Sequence, residues 1–306
     1  MKQSAQTSLK SLPVQWISEI HGVRAASGLV KNGNDFYVVA DDDLALAIFR
    51  FETEAKVEFK PLLSGKLPED PVQRKKLKPD WESLTRIFFD EQPSALLAIP
   101  SGSTTNRQKG ILIYFDERSP VPIDFSPLYE KLGQKYSELN IEGACFCGNV
   151  FKLFQRGNGP SGQNAVIDLD TGEFLKNLLE SSSVTPNCLR GSREYDIGSV
   201  DGHRLDFTDA CALQDSIWFL AVAENSSSTY EDGLYQGAIL GCMDASGSMI
   251  HKFKIECPQK PEGLWVEAEN NMLRFYIVTD ADRADLNAQI LQASLMKEVA
   301  FSNITE

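Results

Sequence analysis

Five times along the chain a polar residue beside a small one opens a short apolar run. The copies are Ala26-Ser27-Gly28-Leu29, Trp81-Glu82-Ser83-Leu84, Ile141-Glu142-Gly143-Ala144-Cys145, Phe207-Thr208-Asp209-Ala210-Cys211 and Pro261-Glu262-Gly263-Leu264-Trp265. Aligned on Ser27, Glu82, Glu142, Asp209 and Glu262, they lie 53 to 67 residues apart. Recurrence at such a period marks a repeat architecture, in which each unit buries its apolar face only against its neighbours.

Each unit continues with a second apolar run that ends in polar residues: Val38-Val39-Ala40-Asp41, Leu97-Ala98-Ile99-Pro100-Ser101, Phe154-Gln155-Arg156, Ala221-Val222-Ala223-Glu224 and Ile277-Val278-Thr279-Asp280. A third apolar run follows, at 44–49, 110–115, 165–169, 238–243 and 289–295. Three or four short strands per unit predict an all-β chain. The expected fold is a five-bladed β-propeller, one domain over residues 1–306 with blades starting near 25, 80, 140, 207 and 261. A sixth blade has no room, because 181–202 lacks an apolar run long enough for two more strands. The alternating segment Val14 to Ile20 precedes the first unit, and the fifth unit is one strand short. Pairing the two closes the ring and removes the exposed sheet edges.

Composition narrows the partners. A chain of 306 residues that is 42% hydrophobic folds as a globular body, and its formal charge of -13 repels nucleic acid and anionic membrane surfaces. The six cysteines are not spaced for metal and read as buried reduced thiols. The first nine residues carry no continuous apolar stretch and no run reaches membrane-spanning length. A cytoplasmic monomer is expected, with the periplasm left open for a trimmed chain. Residues 67–80, with three prolines and Arg74-Lys75-Lys76, read as a solvated surface loop. Residues 180–187 read as an exposed loop, and a short helix is expected after Ser126. The polar connection at 226–234 is long enough to suggest function.

In a propeller, the loop entering the innermost strand and the loop leaving the second strand open on one face. Glu82, Glu142, Asp209 and Glu262 would therefore ring a channel mouth, with Asp41, Ser101, Ser103, Arg107, Arg156, Asn158, Glu224, Asp280 and Asp282 around them. So many carboxylates need protons or counter-charges. Oxygen ligands suit Ca²⁺ or Mg²⁺, whereas His21, His203 and His251 are scattered and argue against zinc. Arg24, Arg107 and Arg156 are the other available counter-charges, and guanidinium groups also grip anionic substrates. A carboxylate at the start of an inner strand can equally cap backbone N–H groups, and both readings stand for any single acid. The polarity of the second-strand ends favours function for the set.

Leu139-Asn140-Ile141-Glu142-Gly143, Gln155-Arg156-Gly157-Asn158, Ser101-Gly102-Ser103 with Arg107, Phe207-Thr208-Asp209-Ala210 and Thr229-Tyr230-Glu231-Asp232-Gly233 together resemble an uncharacterised bacterial propeller family, from about Ala26 to Leu295. More loosely, the chain resembles the propellers labelled esterase-like activity of phytase and the SdiA-regulated propellers. That looser resemblance implies calcium at the mouth and hydrolysis of phosphoesters or lactones. Ser27 in place of an acid and the lack of a histidine placed as a base depart from it.

Two functions are expected from one mouth. The first is a metal-dependent hydrolase of a small anionic ester. It would hold the cation on Glu82, Glu142, Asp209 and Glu262 and use Arg107, Arg156 and Glu224 as catalytic groups. Arg24, Asp41, Ser101, Ser103, Asn158, Asp232, Asp280 and Asp282 would bind the ligand. The second is a non-catalytic propeller that binds a small polar ligand or a partner protein at the same place.

Overall fold

The computed structural model describes residues 9–51, 56–89, 92–157, 159–225, 234–283 and 285–301, the side chain of Pro93 excepted. Five antiparallel sheets follow one another as the blades of a β-propeller. Blade 1 holds Ala26–Asn32, Asp35–Ala40, Ala45–Phe49 and Glu58–Pro61. Blade 2 holds Trp81–Phe89, Gln92–Pro100, Lys109–Tyr114 and Val121–Asp124. Blade 3 holds Ile141–Cys147, Val150–Gln155, Ala165–Asp170 and Leu189–Glu194. Blade 4 is built on His203–Leu213, Ser216–Asn225, Leu234–Asp244 and Met249–Ile255. Blade 5 holds Lys260–Glu269, Met272–Asp280 and Ala288–Met296, completed by the N-terminal strand Val14–Ile20.

Closure follows the expected route. Val14 pairs with Ala293 and Ile20 with Ala288, so the first strand finishes the last blade. Lys10–Ser11 also lies parallel on Met249–Ile255 of blade 4, with Leu12 buried beside it. Aromatic side chains lock neighbouring blades: Phe154 meets Phe207 edge-on between blades 3 and 4, and Trp218 meets Phe275 between blades 4 and 5.

The first strands of successive blades touch in a closed ring around the axis. Each carries a β-bulge, where Ser27, Glu82, Glu142, Thr208 and Glu262 have no partner on the second strand. A bulge bends the strand and re-aims the extra side chain. In blade 4 the bulged residue is Thr208, so the expected equivalence of Asp209 with the three glutamates is off by one. Asp209 takes the place of Gly28 and Gly143, where the inner strands crowd together. A Cβ on Gly28 would stand 2.6 Å from the Leu84 nitrogen, and one on Gly143 2.8 Å from the Ala210 nitrogen. Asp209 instead turns sideways, and its Oδ2 accepts from the Leu264 N–H of blade 5 at 2.7 Å.

Two expected loops are structured. Pro71–Leu77 is a helix, because Asp70 accepts from the Gln73 N–H and Pro71 fits the first turn. Residues 177–188 contain the π turn Asn177–Ser181 and the short helix Pro186–Cys188, and Val184 is buried against blade 2 through its backbone bonds with Asp124. The helix expected after Ser126 spans Ser126–Gly133 and buries Leu128, Tyr129 and Leu132. All six cysteines are buried and unpaired. No helix among the described residues is long and apolar enough to cross a membrane. Residues 226–233, with Asp232, lie outside the described residues, as does Asn158.

Deleting residues 1–20 removes a whole edge strand together with the buried Leu12 and Ile20. Burial of an aliphatic side chain contributes about 1.5–3 kcal/mol. Urea denaturation should therefore report a loss of at least about 3 kcal/mol, with aggregation at the bared edge of Ala288–Met296. Equal stability and solubility of the truncated chain would contradict closure by this strand.

Candidate functional site

The five bulges open at one end of the channel. There a cavity of about 50 Å³ is lined by Ser27, Asp41, Asp80, Glu82, Glu142, Glu262 and Asp280 among the acids and hydroxyls, and by Lys75, Lys78, Arg107, Arg156 and Lys260 among the cations. A vestibule of about 820 Å³ lies against it, sharing Asp41, Lys75, Lys78, Lys260 and Asp280 and adding the less polar Tyr235, Pro258 and Leu286. The repeat explains the convergence. Two residues before each bulge stand Ala25, Asp80, Asn140, Asp206 and Lys260, and four of these five are polar. The residue between is apolar and buried in every blade: Ala26, Trp81, Ile141, Phe207 and Pro261.

Seven carboxylates share four cations at this mouth. Arg156 reaches Glu224 at 2.8 Å, Glu142 at 3.3 Å and Glu262 at 3.8 Å. Lys260 lies 3.1 Å from Glu262, 3.3 Å from Asp282, 3.4 Å from Glu224 and 3.9 Å from Asp280. Arg107 and Lys78 each stand 2.9 Å from Asp80, and Lys78 also pairs with Asp41. Ser101 and Ser103 close on the same Asp80 carboxylate. Asn140 donates to Glu142 at 2.6 Å.

Glu82 is the eighth acid and stands apart, with no hydrogen bond or ion pair to any described residue. Burial pushes its pKa well above the ordinary glutamate range, and Glu142, Asp80 and Asp41 add to that, against the pull of Lys78. Burial also raises Glu262 and Glu142 against the pull of Lys260 and Arg156, raises Asp41, and lifts Asp280 to about 8. The Glu262 Oε2 and Asp209 Oδ1 atoms are buried without a hydrogen bond among the described residues. The arrangement can hold several ionised carboxylates and one or more protonated ones a short way apart.

Glu82, Glu142 and Glu262 thus face one cavity together with Asp41, Arg107, Arg156 and Asp280. Glu224 and Asp282 join them through Arg156 and Lys260. Arg24 lines only the vestibule, 3.6 Å from Asp42. Asp209 lines neither space. Sequence reasoning missed Lys78, Asp80, Asn140 and Lys260. Counting back two residues from each bulge finds the last three; Lys78 sits two residues before Asp80, in the segment read as a solvated loop.

The chain belongs to the family of unknown function DUF6929, whose profile matches residues 22–295. No curated protein matches it in sequence. Among solved structures it is similar to Myxococcus xanthus glutaminyl cyclase, with a TM-score of 0.52 and 11% identity over 94% of this chain and 100% of that one. The catalytic domain of the Coprinopsis cinerea GH62 alpha-L-arabinofuranosidase gives 0.50 and 10% over 94% and 96%. The tail fibre of Staphylococcus aureus phage P68 gives 0.50 and 8% over 94% and 54%. At such identities the likeness shows the fold alone.

These acids bind their protons more tightly folded than unfolded, so the stability they contribute is present below the ordinary carboxylate range and is lost as pH rises. For Asp280 that window runs from 3.8 to about 8. Surface acids held low, such as Asp170 beside Arg190, act below it. In the presence of a chelator the urea midpoint should therefore fall steadily between about pH 5 and about pH 8. A flat or rising profile over that interval would contradict the assigned shifts.

Proposed function

We propose that the channel mouth is the active site of a hydrolase acting on a small polar ester, with Glu82 holding and delivering the proton. The observation that carries this reading is the sorting of the acids. Every other carboxylate of the cavity is tied to a cation, whereas Glu82 projects from its bulge with no partner among the described residues and a raised pKa. A buried carboxyl that keeps its proton near neutral pH is suited to protonate a leaving oxygen, and a neighbouring ionised carboxylate to take a proton from water. Glu142, gripped by Arg156 and Asn140, is the candidate for the second role.

Arg107, Arg156 and Glu224 take supporting parts in this scheme. Their charges are spent on one another and on Asp80, Glu142 and Glu262. For a phosphoester, one of the classes that the looser sequence resemblance implies, the acidic floor would repel the substrate's anion without a shielding cation. Asp41, Asp80 and Glu82 offer oxygens within 4.8 Å of one another, hard ligands suited to Ca²⁺ or Mg²⁺ once Lys78 releases two of them and Glu82 gives up its proton, so in a metal-bound form Glu82 would be a ligand and not the proton donor. Metal dependence therefore goes with that substrate class.

The size of the spaces favours a second reading, a propeller that binds a polar ligand without turnover. The floor of about 50 Å³ admits little more than water, and only the vestibule of about 820 Å³ accommodates a ligand.

Purified protein, first stripped with a chelator, should be assayed on phosphomonoesters, inositol phosphates and lactones with and without calcium or magnesium. Turnover is expected on one of these classes, reduced at least about 100-fold in Glu82→Gln with the fold intact. Absence of turnover on all of them would leave the binding reading. If neither ion raises the melting temperature of the stripped protein, the metal is removed from the account.

A further inference from the structure

Residues 66–79 form a strap between blades 1 and 2 that lines both spaces at the mouth, through Lys75 and Lys78 at the floor and through Glu69, Pro71 and Arg74 at the vestibule. Its helix buries no side chain, and its apolar residues Val72 and Leu77 are more than half exposed. Described contacts that hold it to the blades are polar. Arg74 donates to the Asp42 carbonyl at 2.8 Å and to its carboxylate at 3.1 Å; Lys78 pairs with Asp41 and Asp80; and Arg107 donates to the Lys75 carbonyl at 2.7 Å.

The backbone at the two ends suits a pivot. Gly65 sits at φ +107 with open space around its Cα, and Asp80 adopts φ +59, a left-handed conformation that aspartate tolerates better than most residues. Between them, Pro68, Pro71 and Pro79 restrict the chain, and the seven-residue helix Pro71–Leu77 is too short to persist once it leaves the blades, so opening releases its own amides. A segment whose helix buries no side chain separates from the blades by breaking a few ion pairs and side-chain to carbonyl hydrogen bonds. Elements of low local stability have this character.

Resting on the reading of the mouth as the functional site, we infer that residues 66–79 are a lid whose closure delivers the Lys78 ammonium to Asp41 and Asp80, and whose opening joins the floor cavity to the vestibule. Closed, the lid supplies Lys78, one of the cations paired with the floor acids. Open, it uncovers the carboxylates of Asp41, Asp80 and Glu82 to whatever enters. The floor is too small for a substrate in the closed form, so the lid opens in every cycle of binding.

Hydrogen exchange of the full chain tests this without a substrate. The Gln73, Arg74 and Lys78 amides, bonded only within the strap, should exchange at least about 100-fold faster than the ladder amides of Trp81–Phe89. Raising NaCl from about 0.05 M to about 0.5 M should speed them about threefold or more by screening the ion pairs, with the inner strand unchanged. Lys78→Gln should reach the fast rate at low salt, and Lys78→Arg should restore the slow, salt-sensitive one. Strap exchange that keeps step with Trp81–Phe89, or that ignores salt in the wild-type protein, overturns the lid. Because no turnover is measured, a failed hydrolase assay and a failed lid are told apart.

Discussion

The mouth of the channel is built on an excess of buried negative charge. Eight carboxylates, Asp41, Asp80, Glu82, Glu142, Glu224, Glu262, Asp280 and Asp282, converge on the four cations Lys78, Arg107, Arg156 and Lys260. Taking an ionised carboxylate out of water is expensive, and breaking a buried pair by removing one partner typically costs about 3–5 kcal/mol. Arg156 is the hub. It leaves the second strand of blade 3 and binds acids from blades 3, 4 and 5, so one guanidinium ties three blades together at the mouth. With Lys75, which also lines the floor, five cations face eight acids, one of them the exposed Asp282, and burial favours protons or a bound cation on the inner acids.

The bulges decide which side chains meet at this place. Ser27 and Thr208 donate from their hydroxyls to the Trp81 and Pro261 carbonyls of the following blade, stitching blades 1 to 2 and 4 to 5. Glu82, Glu142 and Glu262 occupy the same position in the other three blades and turn toward the cavity. One backbone device thus serves two purposes, and the residue type selects between them.

That division explains what could be read from the amino-acid order. Blade number, strand positions and closure by Val14–Ile20 were legible because each depends on apolar periodicity within a few residues. The ring was misaligned at Asp209 because acids were matched to acids, whereas the backbone aligns Thr208 with the glutamates and leaves Asp209 to cap Leu264. Thr208 and Ser27 are equivalent hydroxyls, a pattern visible in the sequence once the blade 4 register is moved by one residue. The basic segment Arg74-Lys75-Lys76 resembled a solvated surface because nothing local records that Asp42 lies across from Arg74. Lys78 was passed over because its partner Asp41 comes from blade 1, and Lys260 because the repeats were aligned on acids, although Glu262 lies two residues on.

The same constraint makes Glu82 the informative residue. Burial and three neighbouring acids favour its protonated form against the pull of Lys78. The most direct measurement is ¹³C NMR of the glutamate side-chain carboxyls, with the Glu82 signal assigned by comparison with Glu82→Gln. The account predicts that the Glu82 carboxyl ionises at higher pH than the exposed glutamates of the same chain. A Glu82 signal that ionises together with them would contradict it.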